Sequence, residues 1–559
     1  MKKTLLFTMF LLLGACSSIP IGKNYSEKNV QVNEGKLKHH LIYINKDGEL
    51  IDPYSKEVIK DSNKYINELF KAYQNSKKEK ITIFIHGGLN TFQTATGKAN
   101  QILNNYKDKE EENYIVLIGW QAGPFTNYLD HLFFIRGGER RPVLGPLTSP
   151  FILVEDTARS VAHAPRATAE ALLAQSSVPI SIKSKEEKAY YTSMANLEKM
   201  PEDKIKKMLE DKIKKMLEDK IKEMSEDEIK KMSEDELKKM SKDELMKLKE
   251  DLTIKIHTTG ETRGLNFKNI SSFANPIKFV AAPFVDGLGH GTWNSLSRRT
   301  ELLITKDTAF NKKEDAKTAL EKFLDRLDTE LPKANNTPDV QIDPELTKAN
   351  NTPDVQIDPE LTKEKNKNND QKEKESTKPE ITLIGHSMGS MVANNIIIRK
   401  PNLNYKNIVY MGAAASLKDV ESNVVPILLK NENAQFFNLS LDPYRELSES
   451  KAFGSVPRGS LLIWIDTYLT TVKSFTDRTS GGWFNMVRAA DTIFPDTVKK
   501  RVHLTKFGFG AGPQKHGQFD EYQFWKHAYW TGDEKCGLIP LDEPMDADLE
   551  AKCKNQKAN

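Results

Sequence analysis

Short apolar runs alternate with amphipathic stretches toward both ends of the chain. KITIFIHGG and ENYIVLIGW are rich in β-branched residues, and TFQTATGKANQILNNYKDK between them has the spacing of a surface helix. Downstream, ITLIGHS precedes the helical run MGSMVANNIIIRK, and NIVYMGAAAS, QFFNLSLDP and RVHLTKFG follow as further strands. Strands that alternate with helices predict an α/β fold, with a mostly parallel sheet and helices on both faces.

The globular part is expected to begin at about residue 36, after a polar tether over residues 16–35. LKHHLIYINKDGELID alternates apolar and polar positions around Lys46, Asp47 and Gly48, which predicts a β-hairpin. We expect residues 36–124 to form the first part of the core.

A long insertion divides the core. Roughly 260 residues separate Trp120 from Ile381, where one crossover helix would suffice. We interpret residues 125–330 as a cap, because both ends of this interval are apolar and aromatic. The second part of the core is then residues 380–535, and residues 536–559 are a C-terminal tail.

Two internal repeats lie in and after this insertion. Octapeptides such as EDKIKKML recur over residues 202–249, rich in helix formers and Glu/Lys pairs, but a repeat of eight gives a helix no fixed apolar stripe. This segment is either a solvated insert or a spacer arm that contacts a protein partner. KANNTPDVQIDPELT occurs twice within residues 331–379, whose prolines and charges predict a disordered linker.

The N-terminus has the pattern of an export signal. Residues 1–15 combine a charged start, a short apolar run and small residues, and Cys16 follows directly. LGAC resembles the bacterial lipobox, which implies that Cys16 is acylated and anchors the chain in a membrane; the alternative is an ordinary secretory signal. Ser17 resembles the sorting residue of lipoproteins sent to the outer membrane, so we expect the protein in the bacterial cell envelope.

Composition narrows the possible partners. Of the 559 residues, 38% are hydrophobic and 29% are charged, and the formal net charge of +4 includes no basic cluster interleaved with aromatics. Nucleic-acid binding therefore has little support. Without an HExxH, paired CxxC or Walker A motif, we predict neither a metal nor another cofactor. Cys536 and Cys553 are expected either to pair or to remain free thiols.

The candidate chemistry centres on Gly385-His386-Ser387-Met388-Gly389, a G-x-S-x-G motif between a strand and a helix. A sharp turn there exposes the serine hydroxyl above the sheet. The first amides of the following helix favour an anionic intermediate, so the Met388 N–H is one expected oxyanion donor.

The order of these motifs resembles the α/β-hydrolase family of lipases and esterases, since His86-Gly87-Gly88 also ends an earlier strand. That resemblance implies the α/β-hydrolase fold over residues 36–124 and 379–532. It also implies that the backbone of Gly88 or Leu89 supplies the second oxyanion donor.

The resemblance further implies a catalytic triad in the order serine, acid, histidine. Asp442 ends the second strand after the serine, and His516 follows the last strand, so Ser387, Asp442 and His516 are the expected triad. Weaker candidates remain for both partners: Asp466 and Asp477 for the acid, and His503 and His527 for the base. His86 and His386 are expected to shape their turns.

Such a triad implies a serine hydrolase that cleaves a carboxylic ester through an acyl-enzyme. The apolar insertion favours a hydrophobic ester or lipid as substrate. Thioesterase and acyltransferase chemistry use the same residues, and a surface lipoprotein that binds a partner without catalysis is a different alternative.

Overall fold

The computed structural model describes residues 34–107, 111–136, 139–168, 254–260, 277–305, 317–329, 378–449 and 459–542, together with Cys553. The predicted signal at 1–15, Cys16, the octapeptides at 202–249 and the repeats at 333–362 lie outside these residues, so those predictions stay untested. No helix within the described ranges is long and apolar enough to cross a membrane.

Eight parallel strands form the central sheet. In chain order they are β1 (Leu41–Ile44), β2 (Lys80–Ile85), β3 (Asn113–Trp120), β4 (Lys255–Thr259), β5 (Glu380–His386), β6 (Tyr405–Met411), β7 (Gln435–Leu441) and β8 (Val502–Phe507). Their order across the sheet is β1-β3-β2-β5-β6-β7-β8-β4. The predicted α/β class and mostly parallel sheet are confirmed.

Helices connect the strands and cover the sheet. The longer ones are α1 (Glu34–His40), α2 (Ser62–Asn75), α3 (Phe92–Asn105), α4 (Pro124–Phe133), α5 (Leu144–Ala162), α6 (Ile277–Leu302), α7 (Ala319–Asp328), α8 (Gly389–Arg399), α9 (Val425–Lys430), α10 (Pro443–Ser448) and α11 (Trp483–Ile493). Shorter helical turns span Leu417–Asp419, Val420–Val424, Leu461–Trp464, Ile465–Leu469, Phe475–Asp477, Asp496–Lys499, His516–Glu521 and His527–Trp530. Ile135–Arg136 pairs with Glu139–Arg140 in an antiparallel arrangement.

The sheet has a hydrophobic core on each face, because successive side chains of a strand point to opposite sides. In β2, Ile81, Ile83 and Ile85 join the core that contains α2, α7 and α8. Phe84, from the same strand, joins the opposite core with α3 and the C-terminal segment.

The predicted hairpin is only partly present. α1 covers residues 37–40 of its first arm, and β1 forms the rest. The chain turns at Asn45–Gly48 and returns through an isolated antiparallel bridge between Ile44 and Leu50. β1 pairs along its length with β3, so its principal partner is parallel.

The insertion contributes more than the predicted cap. β4 adds an eighth strand next to β8. α7 packs in the core through Leu320, Phe323 and Leu327, and Thr318 caps its first turn by accepting from Glu321 N. Residues 125–330 therefore include parts of the central layer.

α4, α5 and α6 pack together, and α6 also contacts α8. The buried Arg299 on α6 holds this layer to the core. Its Nη2 donates to Asp130 Oδ2 at 2.5 Å, and its Nη1 donates to the Gln121 carbonyl at 2.9 Å. Asp286 on α6 accepts from Arg159 on α5 at 3.2 Å.

The tail is tied down by a disulfide between Cys536 and Cys553, whose Cα atoms lie 5.6 Å apart. Of the two alternatives for these cysteines, the structure shows the paired one.

Arg299→Leu is expected to lower the free energy of unfolding by about 3 kcal/mol, because it leaves the Asp130 carboxylate buried without its main partner. The exposed pair of Lys80 and Glu112, 2.9 Å apart, provides the control: Lys80→Leu should cost less than about 1 kcal/mol. Urea denaturation measures both variants. Equal losses would show that the buried pair stabilises the fold no more than an exposed one.

Candidate active site

Ser387 lies in a tight turn between β5 and α8. Its φ of 51° is in the left-handed region, which a non-glycine residue rarely adopts. The turn requires glycine on both sides: a Cβ on Gly385 would lie 2.7 Å from Ser390 N, and one on Gly389 would lie 2.2 Å from the Ile85 carbonyl oxygen. The backbone therefore confirms the strand-turn-helix context expected of the motif.

His516 meets Ser387 at the carboxyl end of the sheet. Its Nε2 lies 2.9 Å from Ser387 Oγ, a hydrogen-bond distance, and both side chains are buried. His516 begins a short helix in the loop after β8. Gly412, which follows β6, abuts its ring: a Cβ there would lie 3.1 Å from Nδ1. A serine hydroxyl so placed can pass its proton to the imidazole.

Glu446 approaches the other ring nitrogen of His516. Its Oε1 lies 3.7 Å from Nδ1, within ion-pair distance but beyond a hydrogen bond. Glu446 is buried on α10, and neither of its carboxylate oxygens has a hydrogen-bond partner in the described structure. Glu449, just after α10, accepts from the backbone N–H of His516 at 3.1 Å. Neither contact was predictable from the motifs, because Glu446 and Glu449 lie in the polar stretch after Pro443 that carries no site pattern.

Asp442, the predicted acid, follows β7 directly, four residues before Glu446. It is buried at the end of β7, where its Oδ1 caps α10 by accepting from Tyr444 N at 3.0 Å. Its Oδ2 lies 3.8 Å from Lys506 Nζ. Asp442 thus has the contact of a turn former before Pro443, and its assignment as the triad acid stays a prediction. Glu446 is a carboxylate within ion-pair distance of His516.

The predicted oxyanion donors divide into two groups. Leu89 N–H donates to the Ala122 carbonyl at 3.0 Å, so this amide is already engaged and the expectation for Leu89 is corrected. Gly88 lies directly against Met388, since a Cβ on Gly88 would lie 2.5 Å from Met388 Sδ. In the described part of the chain, the amides of Gly88 and Met388 have no backbone acceptor.

His386 holds the backbone of His516. Its Nε2 is 2.9 Å from the His516 carbonyl oxygen, and its Nδ1 lies 3.6 Å from Asp520 Oδ2. Asp520 also accepts from Lys98 Nζ at 2.7 Å. Burial alone would raise the pKa of Asp520, but Lys98 and His386 hold it well below its usual range. This buried chain of contacts fixes the loop that carries His516.

The remaining histidines near the sheet are structural. His86 Nε2 accepts from Trp120 N at 3.0 Å, and burial lowers the pKa of His86 to about 4. His503 stacks on Phe437 with ring centroids 4.4 Å apart, and burial lowers its pKa to about 3. His527 meets the same ring edge-on.

The two rival acids form local structure as well. Asp466 is partly buried and accepts from Thr479 N and Asn485 Nδ2, each at 2.8 Å. Asp477 belongs to a capping box with Ser474. Their carboxylates therefore order the segment between α10 and α11.

The described ranges bring together no group of three His, Cys, Asp or Glu side chains able to hold a metal ion. Comparisons of this chain with protein-family models, with curated proteins and with solved structures found no match.

The free energy of unfolding should fall as the pH drops below about 6.5, the ordinary pKa of histidine. Because burial depresses the pKa values of His86 and His503, the unfolded chain binds more protons than the folded chain between that pH and about 4. The contribution of each histidine to the free energy of unfolding is fully present above about pH 6.5. It falls by about 1.4 kcal/mol for each pH unit between about 6.5 and the pKa of that histidine in the folded chain.

His503→Phe, which preserves the stacking on Phe437, should make this dependence shallower. Urea denaturation at about pH 7 and about pH 5 measures the change. His39→Phe is the control, because His39 is exposed. An unaltered pH dependence in His503→Phe would contradict the expectation.

Proposed function

We propose that this chain is a serine hydrolase of the α/β-hydrolase fold that cleaves a carboxylic ester through an acyl-enzyme on Ser387. The observation that carries the proposal is the 2.9 Å contact between Ser387 Oγ and His516 Nε2, made by a serine in a left-handed turn ahead of a helix. Serine becomes a useful nucleophile only when a base can take its proton, and His516 lies where this transfer requires it.

The reaction follows from the contacts of this pair. His516 Nε2 takes the hydroxyl proton while Ser387 Oγ bonds to the ester carbonyl carbon. The carbonyl oxygen becomes an anion that the amides of Gly88 and Met388 stabilise. The C–O bond to the alcohol then breaks, and His516 returns the proton to the leaving oxygen. Water, deprotonated by the same nitrogen, releases the acid and restores Ser387.

We propose Glu446 as the residue that orients His516. A proton on Nδ1 directs the lone pair of Nε2 toward Ser387, and a carboxylate facing Nδ1 stabilises the imidazolium that forms. Glu446 faces this nitrogen, and the 3.7 Å separation can shorten when charge develops on the ring.

The proposed substrate class is based on the burial of the nucleophile. Ser387 is only 3% exposed. A buried nucleophile favours an apolar acyl group. We further propose that an acyl anchor at Cys16 holds the enzyme at a membrane of the bacterial envelope.

A fluorophosphonate probe tests the nucleophile. The wild-type chain should become covalently labelled, whereas Ser387→Ala should give no label because the attacking oxygen is gone. His516→Gln should slow labelling by about a thousandfold. His527→Gln is the matched control and should react like the wild type. A wild-type chain that stays unlabelled would refute the proposal.

The hydrolysis of p-nitrophenyl esters distinguishes the two acids. Glu446→Gln should reduce kcat by about a hundredfold or more, because the amide no longer stabilises a charged His516. Asp442→Asn keeps an oxygen that can cap α10 and should retain most of the activity. A greater loss in Asp442→Asn would instead assign the acid to Asp442. A series of acyl chain lengths then separates an esterase from a lipase.

A further inference from the structure

The helix α5 has its apolar side exposed. Five large apolar side chains are largely exposed: Leu144 (50%), Leu147 (71%), Phe151 (75%), Val154 (66%) and Val161 (70%). At 3.6 residues per turn they fall within an arc of about 100°. In a helix that faces water this arc would be polar.

The opposite side of α5 is small and polar, and it is buried. Its members are Gly145, Ser149, Asp156 and Ser160. Gly145 and Ser160 allow close packing, because a Cβ on Gly145 would lie 2.1 Å from the Phe133 carbonyl oxygen and one on Gly287 would lie 1.9 Å from Ser160 Oγ.

The buried polar groups of α5 are bonded to its neighbour α4. Ser149 Oγ donates to the Leu132 carbonyl at 2.8 Å, and Asp156 Oδ2 accepts from the Tyr128 hydroxyl at 3.1 Å. Small residues and bonded polar groups inside, with large apolar residues outside, are the arrangement of helices packed in lipid. α5 thus has the reverse of a water-facing pattern.

We propose that the exposed face of α5 lies in the surface of a lipid bilayer. Along Leu144–Ala162, Glu155 is the one exposed side chain that carries a charge. It borders the apolar arc about 20° beyond Leu144, where its carboxylate can stay at the level of the headgroups. The proposal uses the predicted anchor at Cys16 and does not depend on the proposed hydrolysis.

The anchor makes the bilayer the favoured occupant. Extended chain from Cys16 to Glu34 reaches at most about 60 Å, which keeps the domain beside the membrane. This short tether raises the local concentration of lipid around the domain. A face that binds lipid weakly by itself is therefore occupied. Glu155, Asp156 and Arg159 prevent α5 from spanning the membrane, whereas a helix lying in the interface keeps its charges at or above the headgroups.

Vesicle fluorescence tests the proposal with the full chain, in the Ser387→Ala background so that catalysis plays no part. Val154→Cys is labelled with an environment-sensitive fluorophore, since Cys536 and Cys553 are paired and Cys16 is expected to be acylated. Leu429→Cys is the matched control, because Leu429 is 53% exposed on α9. The vesicles contain phosphatidylethanolamine and phosphatidylglycerol, with and without spin-labelled acyl chains.

The spin labels should quench the fluorophore at position 154 several times more strongly than the one at position 429. Adding Leu147→Glu and Phe151→Glu should remove this difference while thermal unfolding is unchanged, because both side chains face outward. Equal quenching at the two positions would overturn the proposal. A different result would also overturn it: fluorescence at position 154 that shifts to the blue as the protein concentration rises and that the spin labels do not quench. That result would show that a second copy of the chain covers the face.

Discussion

The close approach of the serine turn to β2 is the constraint on which the candidate site depends. Gly389 lies so near the Ile85 carbonyl that any side chain would push α8 away from the sheet. With α8 held there, the chain between β5 and the helix must reverse within one residue, and Ser387 takes a left-handed conformation. The hydroxyl is thereby raised above the ends of the strands, where the loop after β8 brings His516 to it.

Buried charge stabilises the second half of the site. Lys98, Asp520 and His386 form a chain of contacts that ends on the His516 carbonyl, so the imidazole is fixed through its own backbone. Because such groups cost free energy when left unpaired in a dry interior, the network specifies one position for the loop. Glu446 faces the ring from the other side with no hydrogen-bond partner in the described structure, which leaves its charge available to the imidazolium.

The strands that carry the site were predictable because their apolar runs are long and their glycines mark the turns. The edge strand β4 was not, since KIHTT is short and lies just after the charged octapeptides. The sequence also does not show which carboxylate faces His516. Asp442 and Glu446 are four residues apart after the same strand, and the orientation of each depends on where α10 begins. Likewise, no spacing rule connects Lys98 with Asp520, which lie 422 positions apart.

Hydrophobicity alone also misplaces the apolar parts of the insertion. FILV in α5 has the composition of a core segment, yet Phe151 and Val154 are exposed while Asp156 is buried. Periodicity identifies the two faces of an amphipathic helix but not which one packs inward; the contacts of the small, polar face decide this. The neighbouring helix α4 supplies the Tyr128 hydroxyl and the Leu132 carbonyl. Hydrogen bonds to these two groups replace those that the polar face of α5 would otherwise make with water. The apolar face is then left for the surroundings of the protein, which the proposed anchor at Cys16 would make a bilayer.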